Sequence, residues 1–289
     1  MYDEYQKGLL AREEQEKLLK KLSENTAIKA IEIKTKEAEN LALTASKFGG
    51  VPYWNFAEKT YPCDSEGNKL VLLAQINCLE LPKNPDLPEF PESGLLQFFI
   101  ALNDSMGLDY DNPISQKDFR IIYWEKVDEN ISIDNILAQD IPTTLTMTDD
   151  EFFPIYDGTE YALNFDLQTT SLGEHSFEFE SEVKKAAKEL DIVIPDDSEC
   201  SALFDEEEES SKIKGLKSNA GHWIGGYPFF TQTDPRTWGD FDNYDILLLQ
   251  IDSDDDIMWG DCGVGNFFIT REDLKNRDFS KVLYNWDCC

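Results

Sequence analysis

The hydrophobic pattern of this chain is written twice. In the first half, Gly49-Gly50-Val51-Pro52-Tyr53-Trp54 precedes the apolar run Leu70-Val71-Leu72-Leu73-Ala74-Gln75-Ile76-Asn77, and Gly94-Leu95-Leu96-Gln97-Phe98-Phe99-Ile100 follows. In the second half, Gly225-Gly226-Tyr227-Pro228-Phe229-Phe230 precedes Asp245-Ile246-Leu247-Leu248-Leu249-Gln250-Ile251-Asp252, and Gly263-Val264-Gly265-Asn266-Phe267-Phe268-Ile269 follows. Each half reads as a Gly-Gly-x-Pro-aromatic turn, a nearly continuous apolar strand ending in Gln-Ile-Asn/Asp, and a second strand carrying Phe-Phe-Ile. A weaker fourth correspondence sets Asp118-Phe119 and Tyr123-Trp124 beside Asp278-Phe279 and Tyr284-x-Trp286. Matching positions keep similar offsets, so the pattern predicts an internal duplication: two related, mainly antiparallel β-sheet lobes.

Helices are sparse in the remaining pattern. Charge-rich residues 3–25 place Leu9, Leu10, Leu18, Leu19 and Leu22 at spacings near three and four. This predicts an amphipathic helix that packs on its own globule or, alternatively, on a partner. Ile31-Glu32-Ile33-Lys34-Thr35 alternates as a half-exposed strand does. Residues 82–93 hold four prolines and are expected to form an extended surface loop. Residues 133–138 fit a strand or a short helix, Asp149-Asp150-Glu151 suggests a helix start, residues 161–167 alternate like a strand, and residues 178–190 form the clearest later helix. Thr270-Arg271-Glu272-Asp273 has the look of a capping box opening a short helix, and residues 281–286 would close the sheet. The expected class is α+β. An N-terminal helix covers residues 1–25, a first repeat lobe 26–165, and a second lobe 166–289 with an acidic loop at 196–212.

Charge narrows the range of partners. The 289 residues include 26 Lys and Arg against 58 Asp and Glu, a net charge of −32. Such a balance opposes binding to nucleic acid, whose phosphates need basic surfaces, and to anionic membranes. It permits a basic protein partner, or it serves solubility alone. The N-terminus shows no secretory pattern and no apolar run approaches membrane-spanning length, so a cytoplasmic location is expected. The six cysteines lack any CxxC pair, which fits free thiols in a reducing compartment.

Candidate chemistry is thin. Asp252, Asp254, Asp255, Asp256 and Asp261 surround Met258-Trp259-Gly260, and closely spaced carboxylates can converge on a hard cation. A calcium loop of the EF-hand type would need Gly at 257 and an acidic ligand at 263, where the chain has Ile257 and Gly263. The plain account is a solvated hairpin between residues 247–251 and 257–259, with a metal, ligand or partner role as the alternatives. Gln75 and Gln250 end equivalent apolar strands, either as clamps onto backbone or as lining of an inter-lobe cleft. With only His175 and His222, zinc sites and catalytic triads are hard to assemble, and simple packing is favoured for His222. No catalytic, cofactor-binding or metal-ligating residue is assigned and no cofactor is expected. The candidate ligand or partner site comprises Gln75, Gln250, Asp252, Asp254, Trp259 and Asp261.

The two Gly-Gly-x-Pro segments, Leu248-Leu249-Gln250-Ile251-Asp252-Ser253-Asp254, Met258-Trp259-Gly260-Asp261 and residues 278–289 together resemble the bacterial YwqG-like proteins. The likeness runs from about residue 26 onward. It implies a fold and a cytoplasmic bacterial setting, with no catalytic residue to transfer. The function expected is a non-enzymatic binding or interaction protein, immunity-like against a basic partner in one concrete version. The alternative is a small-ligand-binding protein or enzyme using the cleft between the lobes.

Overall fold

The computed structural model describes residues 9–147, 152–194, 199–207, 210–237 and 240–288. One antiparallel sheet of ten strands organises them. In chain order its strands are β1 (Ile28–Ala38), β2 (Lys47–Gly49), β3 (Val71–Asn77), β4 (Leu95–Ile100), β5 (Phe119–Trp124), β6 (Glu160–Thr170), β9 (His222–Ile224), β10 (Ile246–Asp252), β11 (Val264–Ile269) and β12 (Leu283–Asp287). A separate ribbon pairs β7 (Glu206–Glu207) with β8 (Ser210–Ile213), at the end of the expected acidic loop and running one residue past it. Among the described residues there are four α-helices: α1 (Arg12–Thr26), α2 (Ile133–Leu137), α3 (Phe179–Glu189) and α4 (Arg271–Asn276). The α+β expectation therefore holds. The helix start expected at Asp149 lies outside the described residues.

The sheet order is β12-β11-β10-β9-β1-β6-β2-β3-β4-β5. Two separate sheet lobes are thus not what forms: the sheet is continuous, and its halves exchange strands. β1 pairs with β9 from the second half, while β6 pairs with β2 from the first. β1 and β6 pair with each other over eleven residues at the centre, and β6 crosses the expected division at 165/166. The two flanks share one register. Gln75 lies opposite Gln97 with an irregularity between Leu72 and Ala74; Gln250 lies opposite Asn266 with one between Leu247 and Leu249.

The sheet curls until its flanks meet. Phe98 of β4 and Phe267 of β11 stand second from opposite ends, yet their ring centroids are 5.0 Å apart; Phe119 and Tyr284 on the two edge strands are 5.1 Å apart. The curl explains the continuous apolar runs of β3 and β10. Residues facing inward, such as Leu73, Ile76, Leu248 and Ile251, join one central core, whereas Leu72 and Leu247 pack into smaller clusters outside it. The Phe-Phe pairs divide the same way, Phe98 and Phe267 inward, Phe99 and Phe268 outward. Both edges are covered by the β4–β5 connection, as exposed edges would otherwise invite pairing. Pro113 O accepts the Tyr284 N–H at 2.9 Å, and Gln116 accepts the Ile121 N–H while donating to Phe279 O.

The proline segment is more compact than the extended loop expected. Its prolines recur every third residue because they open successive tight turns: Leu87 N–H donates to Asn84 O and Phe90 N–H to Leu87 O. Pro85 and Pro88 each take the second position of a turn, where a fixed φ is an advantage. The fourth residue of each, Leu87 or Phe90, is buried in the central core. α1 packs on its own globule: Leu18, Leu19 and Leu22 meet Phe179, Val183, Ala186 and Ala187 of α3 in a second core beside the sheet.

Lys47 of β2 is 1% exposed, and its ammonium donates to Val51 O at 2.9 Å. Burial lowers its pKa from 10.5 to about 8, with the Glu160 charge opposing the shift. Because the folded value is depressed, the burial cost is full below about pH 8 and fades as pH rises toward 10.5. At ~1.4 kcal/mol per unit it approaches ~3 kcal/mol, offset in a Met variant by ~1 kcal/mol for the lost hydrogen bond. Lys47→Met should therefore stabilise the protein by about 2 kcal/mol at neutral pH and by much less at pH 10, as read from urea midpoints.

Candidate functional site

Gln75 and Gln250 are both fully buried, and every polar atom of their side chains is used. Gln75 Nε2 donates to Leu43 O and Ala45 O, and its Oε1 accepts the Tyr53 N–H at 3.0 Å. Gln250 repeats this: Nε2 donates to Asn219 O and Gly221 O, and Oε1 accepts the Phe229 N–H at 2.8 Å. Each glutamine thus clamps the chain entering β2 or β9 to the chain leaving the Gly-Gly turn. The turn itself needs glycine, since Gly50 and Gly226 have φ of 72° and 78°. A Cβ on Gly226 would also lie 2.7 Å from Ala30 Cβ.

The halves diverge two residues beyond each glutamine. Where β3 ends, the Asn77 N–H donates to the Ser46 hydroxyl at 2.8 Å. Where β10 ends, the Asp252 N–H donates instead to His222 Nδ1 at 3.0 Å. Accepting there leaves Nδ1 without a proton, so neutral His222 carries its hydrogen on Nε2 and donates it to Asp254 Oδ2, 3.0 Å away. The imidazole is 6% exposed and the Asp254 side chain 36%, so the pair runs from the interior to the surface.

The two carboxylates differ in character. Asp252 accepts from the Gly221 and Ser253 N–H groups, but burial dominates and raises its pKa. For Asp254 burial also pushes upward, and the His222 hydrogen bond together with the Asp256 and Ile257 N–H groups outweighs it, holding the carboxyl below the usual range. Asp254 is therefore the firmly ionised member. Both line an open groove of about 440 Å³ with His222, Trp223, Glu32 and Lys34. Lys34 already pairs with Glu32 and, at 2.8 Å, with Asp166.

The other expected residues lie elsewhere in the loop. Trp259 is fully buried, its indole occupying space that Gly265 leaves by lacking a Cβ. Asp261 is exposed and makes no hydrogen bond or ion pair with the described residues. The hairpin expected between residues 247–251 and 257–259 does not form. β10 pairs with β11, and Ile257 bridges instead to Ile155. Among the described residues, no group of three or more His, Cys, Asp or Glu side chains could hold a metal ion. The structure thus joins Asp252 and Asp254 through His222, a residue the spacing of the halves could have flagged. His222 stands four positions before Gly226, as Ser46 stands four before Gly50.

Comparison with known protein families matches residues 46–288 to DUF1963, a domain of unknown function. The chain belongs to that family. The matched span includes both glutamines and both Gly-Gly turns, but neither Leu43 and Ala45, which Gln75 holds, nor β1 at the middle of the sheet. No curated protein matches the chain. Among the described residues, no helix is long and apolar enough to cross a membrane.

His222→Ser should keep the fold, because a serine hydroxyl does the same work at position 46. His222→Leu leaves the Asp252 N–H unpaired and should cost ~1–3 kcal/mol. Long-range ¹H–¹⁵N spectra at neutral pH should find the Nε2–H tautomer.

Proposed function

We propose that this DUF1963 protein is a non-enzymatic binding protein of the bacterial cytoplasm that captures a basic partner. We further propose that its curled sheet arose by duplication of one unit. The observation carrying the functional reading is the divergence of the two clamps. A hydroxyl suffices to end β3, whereas the end of β10 uses a histidine that reaches an ionised, half-exposed carboxylate. That surplus lies in a groove with Glu32 and Trp223, on a chain of net charge −32. A carboxylate beside an aromatic face suits an ammonium or guanidinium group. The charge of the whole molecule steers such a partner at long range. Immunity against a basic toxin is one concrete form of this role. A cleft built on Gln75 and Gln250 has less support, because both amides are spent on backbone.

Fluorescence anisotropy with a labelled Lys/Arg-rich peptide tests the partner reading. Affinity should fall as salt rises, and Asp254→Asn should weaken it about five- to tenfold, a change of ~1–1.4 kcal/mol. Equal affinity for Asp254→Asn and the parent chain would sink the groove as the contact.

Duplication is supported by the shared registers, the paired clamps and the exchange of β1 and β6. It makes each half depend on the other for a strand. The informative cut therefore falls between β5 and β6. Residues 9–147 and 152–289 expressed separately should aggregate or remain unfolded, and co-expression should restore one folded complex. Two halves that fold alone and ignore each other would overturn the proposal.

A further inference from the structure

A second concave space, beside the acidic groove along the chain, opens between the segment that follows β6 and the segments that flank β9. It holds about 210 Å³ and is walled by residues 173–175 after β6, residues 216–219 before β9, and Pro228 and Phe229 after the Gly-Gly turn. Ligand pockets for drug-sized molecules run to roughly 300–1,000 Å³, so this one suits a smaller metabolite.

Its walls are held by the clamp already described. Gln250 fixes the Asn219 carbonyl and the Phe229 N–H, two residues of the lining. Asn219 is 4% exposed. Its Nδ2 donates to Ser171 O at 3.0 Å, while its Oδ1 accepts no hydrogen bond from the described residues. Lys217 is exposed and has no ion pair or hydrogen bond with the described residues. Glu174 is mostly buried, with Oε2 accepting the Ile213 N–H at 2.9 Å and Oε1 lying 3.6 Å from His175 Nε2. The 216–219 wall therefore offers a cation and an amide acceptor that pair with none of the described residues, the 173–175 wall a carboxylate, and Leu216 and Pro228 add apolar surface.

The first half shows what other residues do on the same backbone. The glutamine bonds make Leu43 the counterpart of Asn219 and Ala45 that of Gly221. By the same register Lys217-Ser218-Asn219 replaces Leu41-Ala42-Leu43. There Leu43 packs against the outer apolar cluster. Folding at this position is thus satisfied by an apolar triplet. The second half substitutes a cation, a hydroxyl and an amide.

We propose that this cavity binds a small zwitterion of the α-amino-acid type. Its carboxylate would meet Lys217 and the Ser218 hydroxyl, its ammonium Glu174 and Asn219 Oδ1, and its side chain Leu216 and Pro228. The inference is independent of the basic-partner reading.

The test uses the full chain. Thermal unfolding is followed with each proteinogenic amino acid at millimolar concentration, and calorimetry follows for the best. At least one should raise the apparent Tm. Its N-acetyl derivative, lacking the cation, and its amide, lacking the carboxylate, should each bind about tenfold more weakly or worse. Lys217→Met should weaken binding of the amino acid similarly, without moving the ligand-free Tm or the affinity for a basic peptide. Glu174→Gln keeps an acceptor for Ile213 and should impair ammonium recognition in the same assay. The proposal fails if no amino acid shifts the Tm, if the singly charged derivatives bind as well as their parent, or if Lys217→Met binds like the original.

Discussion

The structure depends on satisfying backbone where the chain leaves the sheet at a Gly-Gly turn. There the segments before and after the turn pass over a strand buried on both faces, out of reach of water and of any ladder partner. One glutamine solves this by accepting one N–H and donating to two carbonyls. Each such group left unpaired in the interior would cost ~1–3 kcal/mol, so the arrangement is worth several contacts of ordinary kind. Asparagine at 75 or 250 would be one methylene short of spanning the same gap. The clamp also fixes the direction in which residues 43–46 and 219–222 run, and so decides where Ser46 and His222 present their acceptors.

Strand exchange follows from what the clamped turns leave exposed. β2 and β9 are only three residues long, too short to end a sheet, and each finds a long neighbour in the other half. The centre of the sheet is then the β1–β6 pair, to which both halves contribute one strand. Closure by curling brings Phe98, Phe119, Phe267 and Tyr284 into one aromatic core. The β4–β5 connection is drawn across the seam, where Ser105 O accepts from Trp286 Nε1 and Met106 O from Tyr284 OH. Contacts so far apart in sequence leave little that could fold as an isolated piece.

Much of this was legible in the residues. The apolar runs marked β3, β4, β10 and β11 because burial on both faces leaves no polar alternation, and the paired Gln and Phe-Phe positions gave their common register. Exchange was not legible, since period-two alternation in residues 31–35 says which face is buried and nothing about the neighbour. The proline segment misled because four prolines exclude helix without distinguishing an extended loop from linked turns; only the burial of Leu87 and Phe90 separates them. Of the candidate residues, Asp252 and Asp254 do lie together, whereas Trp259 is core. His222 was underrated because its role is visible only when the halves are set against each other.

That comparison separates what folding requires from what it tolerates. Three differences share one sign. Ser46 is matched by His222, the triplet from Leu41 by the triplet from Lys217, and Trp124 by Asp287 rather than the expected Trp286, since Asp287 lies opposite Val264 as Trp124 lies opposite Leu95. In the first half the Trp124 indole donates to Gln97 Oε1 at 2.7 Å and completes a network with Gln75 and Tyr53. In the second, Asp287 accepts from Thr231 and Gln232 instead, and Asn266 Oδ1 is left buried without a donor. A carboxylate with a pKa raised by burial and an orphaned acceptor are both unfavourable, and the first half shows that neither is needed to build the sheet. The second half thus carries buried polar groups at a cost to stability that the matching positions of the first half avoid.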